Sequence, residues 1–287
     1  MSEAQRPFTG MTGGTVRRRA AASSAFLPFL PACAVVLFAS AVVLFGHRSP
    51  TRLTLDLSWA APSAARPFGS GDAGVDVLAV ASYGTLRAIG LALLVALSGF
   101  VIGTPLGTAA ALRGGIAERW TSRSADLVQS FPTFLLALAV LSAVRTPSRL
   151  HMGLVFLVGA WAPFARLSLV QARAIAAAPF VEATRALGGS FARALFRHVL
   201  PNVLGPVAVQ LGSVAAGVVL GETALGFVGL GPPDGVSLGA LLEQGTAGML
   251  RAPHVLVAGA LAVMVVSGSL QMASEGVRRW VSGHARS

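Results

Sequence analysis

Long apolar runs alternate with short polar segments along most of this chain. A membrane-spanning helix needs about 20 predominantly apolar residues. Six runs approach or exceed that length, and the second is long enough to tilt or to extend beyond the bilayer. The pattern therefore predicts an all-α polytopic membrane helix bundle of about six transmembrane helices. The predicted spans are 26–46, 86–112, 127–144, 150–168, 202–221 and 254–272.

These spans divide the chain into an N-terminal tail (1–25), a transmembrane domain (26–280) and a C-terminal tail (281–287). Three arginines precede the first apolar run, as they do in a signal peptide. The run is about 21 residues long, however, whereas a signal peptide has a core of about 7–15, and no small-residue cleavage site follows it. We therefore expect the first run to be retained as a span.

Composition supports a membrane protein. Hydrophobic residues make up 54% of the chain and charged residues 11%, whereas a soluble domain carries about 25% charged residues. The net charge is +11, and all 22 basic residues are arginine. Because these arginines are scattered through loops rather than gathered in a stripe, we expect no nucleic-acid binding.

The arginine positions also predict an orientation. If the N-terminus is cytoplasmic, 15 of the 22 arginines fall on the cytoplasmic side of the predicted spans and 7 on the other side. Cytoplasmic loops of membrane proteins carry an excess of Lys and Arg. The bias predicts that both termini are cytoplasmic, and that the polar segment 170–201 is a cytoplasmic loop.

The sequence lacks the residues that several kinds of chemistry require. The single cysteine, Cys33, permits no intrachain disulfide, and the five histidines show no metal-ligand spacing. The span interiors hold almost no ionisable residues, which argues against a proton-coupled carrier and against an intramembrane protease. No nucleotide-binding Gly-Lys-Ser/Thr loop is found. We expect no catalytic residue, no metal site and no cofactor bound by this chain.

The polar segment between the fourth and fifth spans has a helix–turn–helix pattern. Pro179 suits a first helical turn, and the glycine pair 188–189 suits the end of that helix. Ser190 can cap a second helix, which Pro201 should end. The predicted apolar positions are Phe180, Ala183 and Leu187 in the first helix and Phe191, Leu195 and Val199 in the second. The pattern fits either an amphipathic linker on the inner leaflet or a surface that docks a partner.

The spacing within this segment resembles a family signature. Glu182-Ala183-Thr184, three residues, Gly188, nine residues and His198-Val199-Leu200-Pro201 is similar to the cytoplasmic loop of permease subunits in binding-protein-dependent, ATP-driven (ABC) importers of type I. That signature reads Glu-Ala-Ala, three residues, Gly, nine residues, Ile-x-Leu-Pro. Thr184 and His198 depart from it.

Four other stretches, at 67–78, 126–132, 161–166 and 222–231, resemble the second permease of dipeptide and oligopeptide importers, in the peptide and nickel branch. Two departures lie on the predicted outer side. Gly74-Val75-Asp76 replaces a usual Gly-Arg-Asp, and the Trp-Gly that usually follows the outer segment is missing. Both departures affect the side where substrate arrives.

The resemblance implies an assembly in a bacterial-type inner membrane. Its partners would be a second homologous permease, two cytoplasmic ATPase subunits that hold ATP and Mg, an extracytoplasmic substrate-binding protein and membrane lipid. The substrate would be a di- or oligopeptide or a nickel complex. An ATP-independent channel or secondary carrier and a non-transporting scaffold subunit remain the alternatives.

The resemblance also implies site residues. ATPase docking would involve Glu182, Ala183, Thr184, Arg185, Gly188, Phe191, Leu195, His198 and Pro201. Glu182 would pair with a basic group, and a purely local role in helix pairing, capping or packing is the alternative for each of these positions. A substrate pathway would involve Glu222, Phe227, Ser130 and Phe131. Glu222 could meet a substrate amino group or could instead cap a loop at the end of a span.

Overall fold

A computed structural model describes residues 27–284, and the predicted tail 1–25 lies outside them. Between these limits the chain is helical and contains no β-strand. A 3₁₀ turn at Leu27–Phe29 leads into the first helix, and a π-helical turn at Ala194–Val199 joins α7 to α8. The helices are α1 (Leu30–Phe45), α2 (Val77–Arg113), α3 (Gly115–Ser130), α4 (Thr133–Ser142), α5 (Arg149–Ala176), α6 (Pro179–Ala186), α7 (Phe191–Arg193), α8 (Leu200–Ala208), α9 (Gln210–Phe227), α10 (Leu238–Ala247) and α11 (Pro253–His284).

Five helical stretches in the described part of the chain are long and apolar enough to cross a membrane, and a sixth span is possible if α3 and α4 count as one. The predicted all-α membrane bundle is therefore confirmed. The second span is longer than the predicted 86–112, because α2 begins at Val77, nine residues before residue 86, and Asp76 caps it there. Its Oδ1 accepts a hydrogen bond from the Ala79 N–H at 3.1 Å.

The region predicted as the span 127–144 is not one continuous helix. α3 ends at Ser130 and α4 begins at Thr133, and their axes differ by 67°. Pro132 lacks an N–H donor and disfavours helical geometry at Phe131, so the break falls at this pair. The apolar part is the ten-residue α4, whereas α3 is polar and forms ion pairs with α5.

The closest helix packing joins α2 to α5. Three glycines on α2, Gly99, Gly103 and Gly107, are spaced four residues apart and so lie on one face. A Cβ atom at any of them would meet a backbone carbonyl oxygen of α5, those of Ala160, Trp161 and Ala165 respectively. Small residues permit such close approach of helices in membranes. The core around this contact is completed by apolar residues of α4, α9 and α11.

The connections lie at two opposite ends of the bundle. The loop end carries residues 46–76, 143–148 and 228–252, and the segment end carries the polar segment that follows α5. At the loop end, residues 46–76 form a small folded unit, in which Arg48 pairs with Asp76 at 2.5 Å. The short helix α10 folds back there and packs against α9 and α11.

Candidate functional site

The polar segment predicted as 170–201 begins at residue 177 in the structure, because α5 continues to Ala176. From there to residue 201, the range meant below by the polar segment, it has the predicted helix, glycine break and second helix. Gly188 adopts a left-handed conformation (φ +77°), and the Gly189 N–H donates to the carbonyl oxygen of Thr184 at 2.9 Å. Glycine adopts this conformation at little cost, which explains the sharp end of α6. Ser190 then caps α7, because its Oγ accepts a hydrogen bond from the Arg193 N–H at 3.3 Å.

Pro201 does not end the second helix, and the prediction that it would was wrong. The chain stays helical from α7 through the π turn into α8, where Pro201 lies in the first turn. The Leu200 N–H donates to the carbonyl oxygen of Leu195, five residues earlier. Such widened turns are rare insertions in helices. A proline is tolerated in the first turn of α8, where its missing donor is not needed.

Four buried side chains hold the polar segment to the bundle: Val181 of α6, and Ala194, Leu195 and Val199 of the π turn. They form a cluster with Leu112, Phe164, Ala172, Val203 and Val207, which belong to α2, α5 and α8. The segment is therefore packed against two long helices, α2 and α5, and against the short α8.

Two of the three apolar positions predicted for the first helix of the segment do not pack inward. Phe180 of α6 is 48% exposed and Leu187, directly after α6, is 88% exposed, whereas Val181 is fully buried. The short α6 contacts the bundle through Val181, so these two larger apolar side chains face outward. Large apolar residues are exposed along much of this chain. The exposure of these two therefore fits either role predicted for the segment, a linker on the inner leaflet or a docking surface.

Aromatic contacts add to this attachment. The Arg113 guanidinium, at the end of α2, lies 4.4 Å from the centroid of the Phe191 ring. The rings of Phe180 and His198 meet edge to face at 6.3 Å between centroids, so α6 also contacts the π turn. A cation over an aromatic face contributes about 0.5–1 kcal/mol at an exposed site.

The other residues predicted to dock the ATPase subunits differ in their exposure and contacts. Glu182 and Pro201 are exposed and His198 is half-buried. The Thr184 hydroxyl donates to the Phe180 carbonyl oxygen at 2.8 Å, which is a local role. The side chains of Ala183 and Arg185 lie outside what the structure describes. Their roles, and the pairing of Glu182 with a basic group, stay predictions.

A second site lies at the loop end, where two arginines converge on one aspartate. Arg87 of α2 donates to Asp234 Oδ2 at 2.8 Å, and Arg149 of α5 donates to Asp234 Oδ1 at 3.3 Å. Both guanidinium groups also donate to the Val236 carbonyl oxygen. Partial burial raises the pKa of Asp234, but the Val236 N–H and the charges of Arg149 and Arg87 outweigh it and lower that pKa overall.

Glu222 lies close to this cluster and is almost fully buried. Its side chain is 3% exposed, and its Oε2 has no hydrogen-bond partner within residues 27–284. Arg149 and Arg87 act on it electrostatically. A buried carboxylate without a full set of partners is costly, so such a group usually has a specific role.

A cavity of about 460 Å³ opens between α4, α5 and α9. Its lining includes Thr133 and Phe134, which follow the predicted pathway residues Ser130 and Phe131. It also includes, from α9 and α5, Gly217, Val218, Leu220, Gly221, Ala224, Phe156, Gly159, Ala160 and Pro163. The structure thus brings to one cavity residues that lie next to, or within, two distant predicted stretches, 130–131 and 222–227.

None of the four predicted pathway residues lines this cavity itself. Ser130, Phe131 and Phe227 are exposed beside it, and Glu222 points into the bundle. A larger groove of about 500 Å³ between α1, α2 and α11 is lined almost wholly by apolar side chains and by none of the acidic or arginine residues.

Arg149 was not predicted as a site residue. It lies in the short connection between the predicted spans 127–144 and 150–168, and 85 residues separate it from Asp234. No local pattern indicates a contact at that distance. The unusual feature that could have marked it is a positive charge in the first turn of a helix, where a negative charge is favoured.

Comparison with known proteins shows one family and several relatives. Residues 103–281 match the family described as "binding-protein-dependent transport system inner membrane component". A dipeptide transport system permease protein, DppC, of Alkalihalophilus pseudofirmus is 30% identical over 219 residues, which cover 76% of this chain and 71% of the relative. The glutathione transport system permease protein GsiD of Pectobacterium atrosepticum is 28% identical over 76% of this chain and 72% of its own. The oligopeptide transport system permease protein OppC of Mycobacterium tuberculosis is 27% identical over 77% of this chain and 76% of its own.

Proposed function

The chain belongs to the family of binding-protein-dependent transport system inner membrane components, and from that premise we propose its part in transport. It is a permease subunit of the peptide type of ABC importer. It forms part of a substrate pathway through the inner membrane, and cytoplasmic ATPase subunits drive it.

The substrate class we propose is a di- or oligopeptide. The relatives named above are permeases for dipeptides, oligopeptides and glutathione, which are all peptides. A nickel complex, the other substrate of this branch, has less support. Within residues 27–284 no group of three or more His, Cys, Asp or Glu side chains could hold a metal ion.

The polar segment is the proposed joint with the ATPase subunits. The observation that carries this proposal is the contrast between its two sides. Val181, Leu195 and Val199 are buried against the ends of α2, α5 and α8, whereas Phe180 and Leu187 are exposed. A partner that moves the exposed side would therefore move the two long helices α2 and α5 together with α8. This link is how binding and hydrolysis of ATP, with Mg on the ATPase subunits, would change the pathway.

The remaining parts follow from this assignment. A second homologous permease would face the cavity between α4, α5 and α9, and the pathway would run between the two subunits. An extracytoplasmic binding protein would deliver peptide at the loop end. The segment end and both termini would be cytoplasmic, in agreement with the arginine distribution.

The test compares two leucine-to-serine variants in the reconstituted complex. Leu187, 88% exposed at the segment end, and Leu250, 98% exposed at the loop end, lose a similar apolar surface when changed to serine. We expect Leu187→Ser to lower both the amount of ATPase that co-purifies and ATP-dependent peptide uptake into proteoliposomes. Leu250→Ser should retain the ATPase subunits as the wild type does.

Other results would identify a different function. Peptide flux without ATP and without co-purifying ATPase subunits would support a channel or secondary carrier. A complex that retains its ATPase subunits but moves no substrate would support a scaffold subunit. Equal ATPase retention in both leucine variants would exclude the exposed surface formed by Phe180 and Leu187 as the docking surface.

A further inference from the structure

The arginine pair at the loop end has an incomplete set of partners. Asp234 is well bound to Arg87, at 2.8 Å, but its bond from Arg149 Nη2 is long, at 3.3 Å. Arg149 Nε is buried and has no hydrogen-bond partner in the described part of the chain. Charge-assisted bonds of this type are usually about 2.7–2.9 Å, and arginine often binds a carboxylate through two parallel N–H bonds. Asp234 therefore leaves Arg149 able to bind a carboxylate more completely.

The cluster lies about two helical turns from the cavity between α4, α5 and α9, in the direction of the loop end. Arg149 is seven residues before Phe156, so it lies on the same face of α5, about 10 Å further along the axis. Phe156 lines the cavity, and so does Gly221, the neighbour of Glu222. A solute entering the cavity from the loop end would pass the two arginines.

The loop that carries Asp234 has glycines that permit movement. Gly229 and Gly235 adopt left-handed conformations (φ +81° and +65°), and a Cβ at either would meet nothing within 4 Å. Asp234 itself is about one-third exposed. Its carboxylate can therefore leave the arginines, whereas the neighbouring Val236 is buried and stays in the core.

We propose that Arg87 and Arg149 form a binding site for the carboxylate of the substrate, and that Asp234 occupies this site until a substrate carboxylate displaces it. Arg149 would then use both Nε and Nη2. One carboxylate replaces another, so the exchange leaves the charge of the site unchanged. This inference rests on the proposed function and adds the chemical group by which a peptide is recognised.

The experiment measures uptake of trialanine and of trialanine amide, which lacks the terminal carboxylate, by the reconstituted wild-type complex and by variants. The binding protein has its own preference between the two peptides, but this preference cancels when the ratio of uptake rates is compared between variants. We expect Arg149→Gln to lower the trialanine-to-amide ratio by about ten-fold or more, as expected for loss of a bond to a charged group. Arg145→Gln, an exposed arginine four residues away without an ion pair among residues 27–284, is the matched control and should keep the wild-type ratio.

Asp234→Asn separates recognition from a structural role. If Asp234 occupies the substrate site, removing its charge should raise the trialanine-to-amide ratio, the opposite of the effect of Arg149→Gln. If the cluster only ties the loop to α2 and α5, both variants should slow uptake of the two peptides equally, and that result would overturn the proposal. An unchanged ratio in all variants would also overturn it, while ATP-dependent uptake by the wild type would still support the permease function.

Discussion

The glycine face of α2 allows a sharp test of how this bundle is held together. At Gly103, an added Cβ would contact the Trp161 carbonyl oxygen and would lie 2.9 Å from the Ala165 nitrogen and 3.0 Å from the Phe164 Cβ. Two of these three atoms belong to the backbone, so no side-chain rotation can relieve the contact. The Gly103→Ala variant must push α2 and α5 apart.

The expected cost can be estimated from two opposing effects. Adding a methyl group to a well-packed interface costs about 1–3 kcal/mol. Replacing glycine by alanine within a helix returns about 0.5–1 kcal/mol, because alanine loses less backbone freedom on folding. We therefore expect Gly103→Ala to lower the free energy of unfolding by about 1.3 kcal/mol, the mid-range value of a difference that spans about 0–2.5 kcal/mol.

Gly90, on the same helix, is the matched control. A Cβ there would meet nothing within 4 Å. Gly90→Ala should therefore gain the stability that alanine brings to a helix, without the steric cost of a close contact. The assay is denaturant-induced loss of helical circular dichroism for the full chain in detergent micelles. We expect the two variants to shift the unfolding midpoint in opposite directions. Equal midpoints for both would refute the argument that close contact of α2 with α5 requires glycine.

Two further predictions concern the polar segment and the loop end. Leu195 is buried, so Leu195→Ala should destabilise the attachment of the polar segment by about 2–5 kcal/mol and reduce ATP-dependent uptake. Its neighbour Phe196 is exposed, so Phe196→Ala should leave uptake near the wild-type level. A larger loss of uptake in Phe196→Ala than in Leu195→Ala would contradict the packing argument. Folding lowers the pKa of Asp234 below its ordinary value of 3.8. Its ion pairs therefore stabilise the folded chain fully above pH 3.8, and this stabilisation is lost as the pH falls from 3.8 through the lower pKa of the folded state. The unfolding free energy of the wild type minus that of Asp234→Asn should thus stay constant from about pH 7 to pH 5 and shrink only below the ordinary aspartate pKa, and a difference that grows on acidification would contradict it.

Apolar run length and local turn chemistry were sufficient to predict most of the architecture. A span needs only a long apolar run, and a helix end needs only a suitable residue, such as Gly188 or Ser190. Both are properties of a few consecutive residues. The signature from Glu182 to Pro201 likewise depends on spacing along the chain, so the family could be predicted before any contact was known.

Local rules failed where packing decided the outcome. Pro201 carries a helix-ending signal, yet the helix continues because a π turn before it changes which carbonyl receives the next hydrogen bond. Phe180 and Leu187 have apolar helical spacing, yet Val181 is the buried residue, because an eight-residue helix is oriented by its contacts with the bundle.

The pairing of charges at the loop end depended on the tertiary structure alone. Arg87 and Asp234 are 147 residues apart, and Arg149 joins them from a second helix. No spacing rule spans such distances, since α2, α5 and the loop before α10 each place one of the three residues. The sequence by itself determined which segments are helices and to which family they belong. The packing of α2, α5 and α9 decided which side chains meet, because a close approach of helices depends on every residue along both faces.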